Sequence, residues 1–228
     1  MHRPPKVWTI VVGGGSGQRF GRPKQYESLG GERIIDRSRR IAAEVSDEVV
    51  VVVPRADAAA EGGVAGGTTR SESVRSGLER LPADCDVVCI HDAARPLASA
   101  DLFRSVIDAV VNGADGAVPG VRVTDTIKVI DATGTVVETP DRESLVAVQT
   151  PQAFRLTALL AAHEGGAHGT DDASLVEANG GRVVVVPGDP MNRKITHPDD
   201  LSWARSVIMS EPMSGPDVGA VGRRWEGA

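Results

Sequence analysis

Aromatic side chains are scarce in this sequence: three Phe, three Trp and one Tyr make up 3% of 228 residues. So few flat rings leave little material for the stacking platforms that hold single-stranded nucleic acid. A basic surplus is missing as well, because 25 Lys and Arg face 31 Asp and Glu, a formal net charge of −6. Nucleic-acid binding is thereby disfavoured, and any phosphate bound here is bound locally. The only cysteines are Cys85 and Cys89, set beside the apolar Val87, Val88 and Ile90. That pattern suits core thiols better than a metal knuckle or a disulfide framework. No apolar run approaches the ~20 residues that cross a bilayer, and no N-terminal segment has the order of a signal peptide. The expectation is a cytoplasmic protein without membrane contact.

Glycine is placed where it carries information. The apolar run Val7 to Val12 leads directly into Gly13, Gly14, Gly15 and Gly17, followed by Arg19 and Lys24. Glycines after a strand let main-chain N–H groups converge on an anion, and the two cations add fixed charge. The spacing is not that of a Walker loop, and Arg19 and Phe20 occupy later positions of the dinucleotide fingerprint. A phosphate cradle of another kind is one reading; a plain tight turn is the other.

Short β-branched runs alternate with helix-compatible segments along the rest of the chain. The sequence predicts strands near Val7 to Val12, Val49 to Val53, Val87 to His91, Ala117 and Arg182 to Pro187. Helices are predicted near Glu32 to Glu44, Ser71 to Leu81, Ser99 to Val111, Leu156 to His163 and Pro198 to Met209. Near-continuous apolar strands separated by helices imply an α/β fold with a doubly wound, mostly parallel sheet, whose ligands sit at the strands' carboxyl ends. One domain over 1–210 is expected, and 211–228, rich in Pro and Gly without periodicity, reads as a flexible tail. The segment from Thr124 to Gln149 breaks the rhythm. It reads as a β-hairpin arm at about 122–149 with a Thr133-Gly134 turn. An isolated hairpin is marginal in water, so a second copy of the chain, dimerised through an exchanged arm, is the expected partner.

Further groups follow the predicted strands. Gly66-Gly67 precedes a helix start where Ser71 is a candidate cap, and a loop of that kind can present main-chain groups to the edge of a base. His91-Asp92-Ala93-Ala94-Arg95-Pro96 ends a buried strand; Asp92 there can hold Mg²⁺ or a substrate hydroxyl, or cap the next helix. His91 reads as structural. Weaker alone are Thr126 and Lys128, Arg142, the Gln149-Thr150-Pro151-Gln152 block, Thr170-Asp171-Asp172-Ala173-Ser174, and Lys194-Ile195-Thr196.

Taken in order from about Val7 to Ile208, these blocks resemble one family, the 2-C-methyl-D-erythritol 4-phosphate cytidylyltransferases of non-mevalonate isoprenoid synthesis. The resemblance implies a Rossmann-like nucleotidyltransferase that uses CTP, a small polyol phosphate and Mg²⁺ or another divalent cation. It also implies roles. Arg19 and Lys24 match the catalytic cations that hold the triphosphate. Gly13, Gly14, Gly67 and Ser73 match the cytidine contacts, with Gly15 and Gly17 completing the CTP loop. Asp92 and Arg95 match residues near the metal and the acceptor hydroxyls, Asp92 being the metal ligand, direct or through water. Thr126 and Arg142 match arm residues that the neighbouring subunit of a homodimer lends to the substrate phosphate, Thr170 and Lys194 match acceptor contacts from the same chain, and Arg142 and Lys194 join Arg19 and Lys24 as the implied catalytic residues. Gly13-Gly14 stands where many members have Ala-Ala. Two alternatives remain open at this level: a ribitol-5-phosphate cytidylyltransferase, and a non-catalytic nucleotide-binding module.

Overall fold

A computed structural model describes residues 3–15, 17, 19–166 and 169–210, so the expected tail at 211–228 lies outside the described residues. The chain begins with β1 (Val7–Val12), two short strands β2 (Ser28–Leu29) and β3 (Glu32–Arg33), and helix α1 (Ile34–Ala43). Next come β4 (Glu48–Val53), β5 (Val64–Ala65), α2 (Arg70–Leu78), β6 (Val87–Asp92) and α3 (Ala100–Val111). Then follow β7 (Gly116–Arg122), the hairpin β8 (Val129–Ile130) and β9 (Val136–Glu138), β10 (Val146–Val148) and β11 (Gln152–Arg155). The described chain closes with α4 (Leu156–His163), α5 (Asp172–Ala178), β12 (Val183–Pro187) and α6 (Pro198–Ser210).

The central sheet has the order β10-β7-β11-β6-β1-β4-β5, with β12 alongside β7. β1 runs parallel to β4 and β6, and β12 parallel to β7. β11 is inserted antiparallel between β6 and β7, and β10 is antiparallel to β7. The sheet is therefore mostly parallel, as expected, but β10, β11 and the short helix α5 extend what the sequence pattern predicted.

Because successive side chains on a strand point to opposite faces, each buried strand feeds two cores. Val7 and Val11 of β1, with Val87 and Cys89 of β6, join Ile35 of α1 and Phe103 and Val106 of α3 on one face. Ile10, Val88 and Ile90 face Val74 and Leu78 of α2, Leu159 of α4 and Leu175 of α5 on the other. Burial of both faces of β6, and of most of β1, thus follows from helices on both sides. Cys85 and Cys89 are free buried thiols, as expected. Burial pushes the Cys85 thiol up to about 11 and the Cys89 thiol up to about 12, so both remain protonated at neutral pH. A third, smaller cluster seats Leu201 and Ala204 of α6 against Leu29, Ile34 and Ile195. No described helix is long and apolar enough to cross a membrane.

The β8–β9 hairpin forms a separate two-stranded sheet. Ile130 and Val137 on it are 59% and 61% exposed, so the described residues leave these apolar side chains largely uncovered.

Candidate functional site

β1 is the point at which the chain first winds to one side, through α1 to β4, and then to the other, to β6. In an open α/β sheet a crevice forms at the carboxyl ends of strands at such a reversal. The register places Val12 beside Asp92, the last residues of β1 and β6. Gly13 N donates to Val52 O at 2.7 Å and Ala93 N donates to Val12 O at 3.0 Å, which fixes the loops leaving both strands. A cavity of about 590 Å³ opens there.

One wall is the glycine loop: Gly13, Gly14, Gly15 and Gly17 all line it. At Gly17, φ is +67° and an added Cβ would lie 1.9 Å from the Arg22 carbonyl oxygen, so the turn itself demands glycine. Gly14 and Gly15 differ. A Cβ on Gly14 would meet only Ser73 Oγ, at an ordinary 3.5 Å, and one on Gly15 would meet nothing within 4 Å. Their bareness keeps room open on the cavity side. On Gly13 a Cβ would come within 3.0 Å of Ile35 Cδ1, a contact that a small side-chain adjustment relieves.

Opposite lies the loop into α2, where Gly67 and Ser73 reach the cavity. The expected Ser71 cap is not what starts this helix. Thr69 is the N-cap: its side chain accepts from Glu72 N, while Glu72 Oε2 accepts from the backbone N–H groups of Thr68 and Thr69 and from Thr68 Oγ1. This capping box satisfies the helix's first donors and holds Thr68 and Thr69 beside the cavity that they line with Gly67.

Four cations, Arg19, Lys24, Arg70 and Lys194, line the same space. Burial lowers the Lys24 pKa from its ordinary value, and the charges of Lys194 and Arg19 lower it further, against the pull of Asp92 and Asp200. Four positive charges against the single carboxylate of Asp92 leave a cationic surplus that suits a polyanion. Asp92 is the one carboxylate lining the cavity among the described residues. It caps no helix, α3 being capped by Ser99. Its Oδ2 accepts from Lys194 Nζ at 2.6 Å and its Oδ1 from Arg70 Nε at 3.4 Å. Burial opposes its ionisation, but Lys194 and Arg70 overcome this and hold the carboxyl well below the usual carboxylate range.

Arg95 lies elsewhere. It lines an adjoining cavity of about 560 Å³ that shares Lys194 and Thr196 with the first. Its Nη1 donates to Asn192 O at 2.8 Å. The Gln149-Thr150 pair turns out to be scaffolding for this junction. Gln149 Nε2 donates to Asp189 O, and Asn192 Nδ2 donates to Thr150 O, both at 2.8 Å, pinning the loop that carries Lys194. Thr150 Oγ1 accepts from Asp92 N at 3.0 Å and lies 3.2 Å from His91 Nδ1. His91 packs against Phe103 with ring centroids 5.0 Å apart and ring planes tilted by 53°, and burial pushes its pKa down to about 4. It is structural, as the sequence indicated. Asp189 belongs to the turn, its Oδ1 accepting from Met191 N at 2.8 Å.

Three expected site residues line neither cavity. Thr126 and Arg142 are exposed on the arm, where Arg142 Nη1 donates to Thr124 O at 3.1 Å. Thr170 is exposed just before α5, and Asp171, not Thr170, caps that helix through Ser174 N. Conversely, Arg70 lines the first cavity although sequence reasoning gave it no role. The signal available was its fixed place in the block Gly66-Gly67-Thr68-Thr69-Arg70-Ser71-Glu72-Ser73-Val74, one of those that carry the family resemblance.

The match to the 2-C-methyl-D-erythritol 4-phosphate cytidylyltransferase family (IspD) extends over residues 7–210. The chain belongs to that family. Solved structures similar to it include 4-diphosphocytidyl-2C-methyl-D-erythritol synthase from Anaerococcus prevotii, at TM-score 0.79 and 29% identity, covering 90% of this chain and 99% of that one. The cytidylyltransferase from Thermus thermophilus superposes with TM-score 0.77 at 31% identity, over 90% and 99% of the two chains. A relative from Clavibacter michiganensis, named bifunctional enzyme IspD/IspF, is 41% identical over 231 residues, 92% of this chain and 56% of that one. The chain spans about half the length of the curated relatives it matches, 56%, 58% and 60% in three of them.

Proposed function

We propose that the chain transfers a cytidylyl group from CTP to 2-C-methyl-D-erythritol 4-phosphate, releasing pyrophosphate. The observation that carries this reading is the junction of two cavities at Lys194. One holds the bare glycine loop with Arg19 and Lys24; the other holds Arg95. A triphosphate suits the first and a polyol phosphate the second, so that the two reactants meet beside Lys194 and Asp92.

The acceptor's phosphate oxygen attacks the α-phosphorus of CTP as the bond from that phosphorus to the β-phosphate oxygen breaks. The attacking group is already ionised at neutral pH, so no protein base or nucleophile is needed. The work left to the protein is bringing polyanions together and matching charge as it shifts in-line. Arg19 and Lys24 offset charge on the triphosphate and departing pyrophosphate, and Lys194 aims the incoming phosphate. Arg suits a forked contact to phosphate, whereas Lys supplies a compact charge.

Among the described residues no cluster of three or more His, Cys, Asp or Glu can hold a metal. One ionised carboxylate in a phosphate-binding cavity does fit a hard cation that takes its other ligands from phosphate and water. Asp92 is the residue that would hold Mg²⁺, which when bound supplies further charge neutralisation at the phosphates.

A homodimer is part of the same reading. The uncovered arm residues favour a second copy as partner, and the neighbour's Thr126 and Arg142 would then reach the acceptor phosphate. Soluble, cytoplasmic operation follows from the same small, charged substrates. Side-by-side kcat/KM for methylerythritol 4-phosphate and ribitol 5-phosphate, read as pyrophosphate release from CTP, tests the assignment. Strong preference for the former is expected; preference for the latter, or no release with either, would overturn it.

A further inference from the structure

A line of charged side chains runs from the cavity junction into the interior. Lys194 Nζ donates to Asp92 Oδ2 at 2.6 Å, and Arg70 Nε donates to Asp92 Oδ1 at 3.4 Å. On its other side Arg70 Nη1 donates to Asp172 Oδ2 at 2.7 Å, and His163 Nε2 donates to Asp172 Oδ1 at 3.0 Å. Side-chain exposure is 39% for Lys194, 11% for Asp92 and 27% for Arg70, and the inner end is closed to solvent, with Asp172 at 0% and His163 at 3%.

Asp172 lines neither cavity, and a carboxylate in a closed apolar setting is costly unless both oxygens are satisfied. Replacing a buried ion pair by apolar side chains is often neutral or stabilising, so the pair is not explained by stability alone. What it does achieve is directional. Arg70 opens α2, Asp172 opens α5 and Asp92 ends β6, so one guanidinium joins three elements directly, and Asp172 links it to a fourth through His163 at the end of α4. Its planar fork reaches two carboxylates at once, which a lysine ammonium on a flexible stem does not do in a fixed geometry. With its far side anchored, Arg70 is kept from swinging into the anion cavity it borders, and its near side holds Asp92 in the orientation that accepts from Lys194.

We propose that Arg70, anchored by the buried Asp172 and His163, is a positioning residue that fixes the Asp92 carboxylate and through it the Lys194 ammonium. The mechanistic part rests on the functional reading above, in which Lys194 aims the acceptor phosphate. The geometric part does not.

The test uses the full chain with Arg70→Lys and Asp172→Asn, and Leu159→Ala as a stability control taken from the α4 core. Lysine acylation under limiting reagent, read by mass spectrometry as the Lys194 to Lys128 ratio, reports the hold on Lys194 without turnover. That ratio should rise about fivefold or more in both charge variants, and kcat should fall about tenfold or more with the CTP KM within about threefold, the range for misdirected catalytic groups. The Leu159→Ala control should lower Tm while leaving both quantities per folded molecule near wild type. A Lys194 ratio unchanged in the charge variants overturns the proposal, as does an unchanged kcat in an active background. Absence of transfer in the wild-type protein would defeat the functional reading alone, because the labelling ratio still decides whether Arg70 positions Lys194.

Discussion

Lys24 shows how much one side chain's surroundings determine. Burial and the neighbouring Lys194 and Arg19 lower its pKa in the ligand-free protein. A bound triphosphate favours the protonated ammonium, so CTP binding should raise the lowered Lys24 pKa. CTP affinity is then full at pH values below the lowered Lys24 pKa and declines as the pH rises through it, in a window beneath the ordinary lysine value. Titration calorimetry across that range should show the decline, and Lys24→Arg, which stays charged, should flatten it. Lys24→Ala should reduce kcat by at least ~10²-fold, the scale of losing one preorganised charge donor. Near-normal turnover would remove Lys24 from the mechanism. Arg19, Lys24 and Lys194 were legible as a set only through their order along the chain. Nothing in local spacing says that Lys194 returns to a loop lying 170 positions earlier in the sequence.

At the scale of elements, the loop after β1 separates two uses of glycine. Gly17→Ala forces a side chain into a positive-φ turn against the Arg22 carbonyl, so it should lower Tm by several degrees. Gly15→Ala meets no protein atom, so its Tm should match wild type while its CTP Kd rises, because the methyl group occupies space meant for ligand. Paired melting and binding curves check both. If Gly15→Ala bound CTP normally, the loop would not be a cradle. The strands most easily read from sequence were those buried on both faces: Val7–Val12 matches to the residue, since continuous apolar runs leave little ambiguity. β11 was missed because Gln152 and Arg155 frame only two apolar residues, and its pairing comes from long-range contacts with β6 and β7. Helix starts were displaced by one or two residues where several Ser, Thr and Asp compete for the cap. Thr69 prevails over Ser71 because only it has Glu at the third helical position to complete the box.

For the whole molecule the open question is where the arm goes. Among the described residues, Arg142 is exposed and the hairpin's Ile130, Val136 and Val137 are more than half exposed. If a second copy covers the arm and Arg142 acts in the neighbour's site, Lys24→Ala and Arg142→Ala should complement one another. In a randomly mixed dimer population half the dimers are heterodimers, each with one site free of both changes, so activity should recover to about a quarter of wild type. No recovery after subunit exchange would place Arg142 in its own chain's site or outside the mechanism. The hairpin itself was legible as a departure from the strand and helix alternation, and its exposure is what the sequence's uncovered β-branched pattern required.

The most direct test of the whole account is the fate of the acceptor's phosphate oxygens. Methylerythritol 4-phosphate carrying heavy oxygen in its phosphate group, turned over with CTP and Mg²⁺, is followed by phosphorus NMR. Attack on the α-phosphorus predicts that all the label stays in the diphosphate product, the bridging oxygen included, and that the released pyrophosphate is unlabelled. Label in the pyrophosphate, or CMP formed without a diphosphate product, would contradict direct cytidylyl transfer at the Lys194 junction.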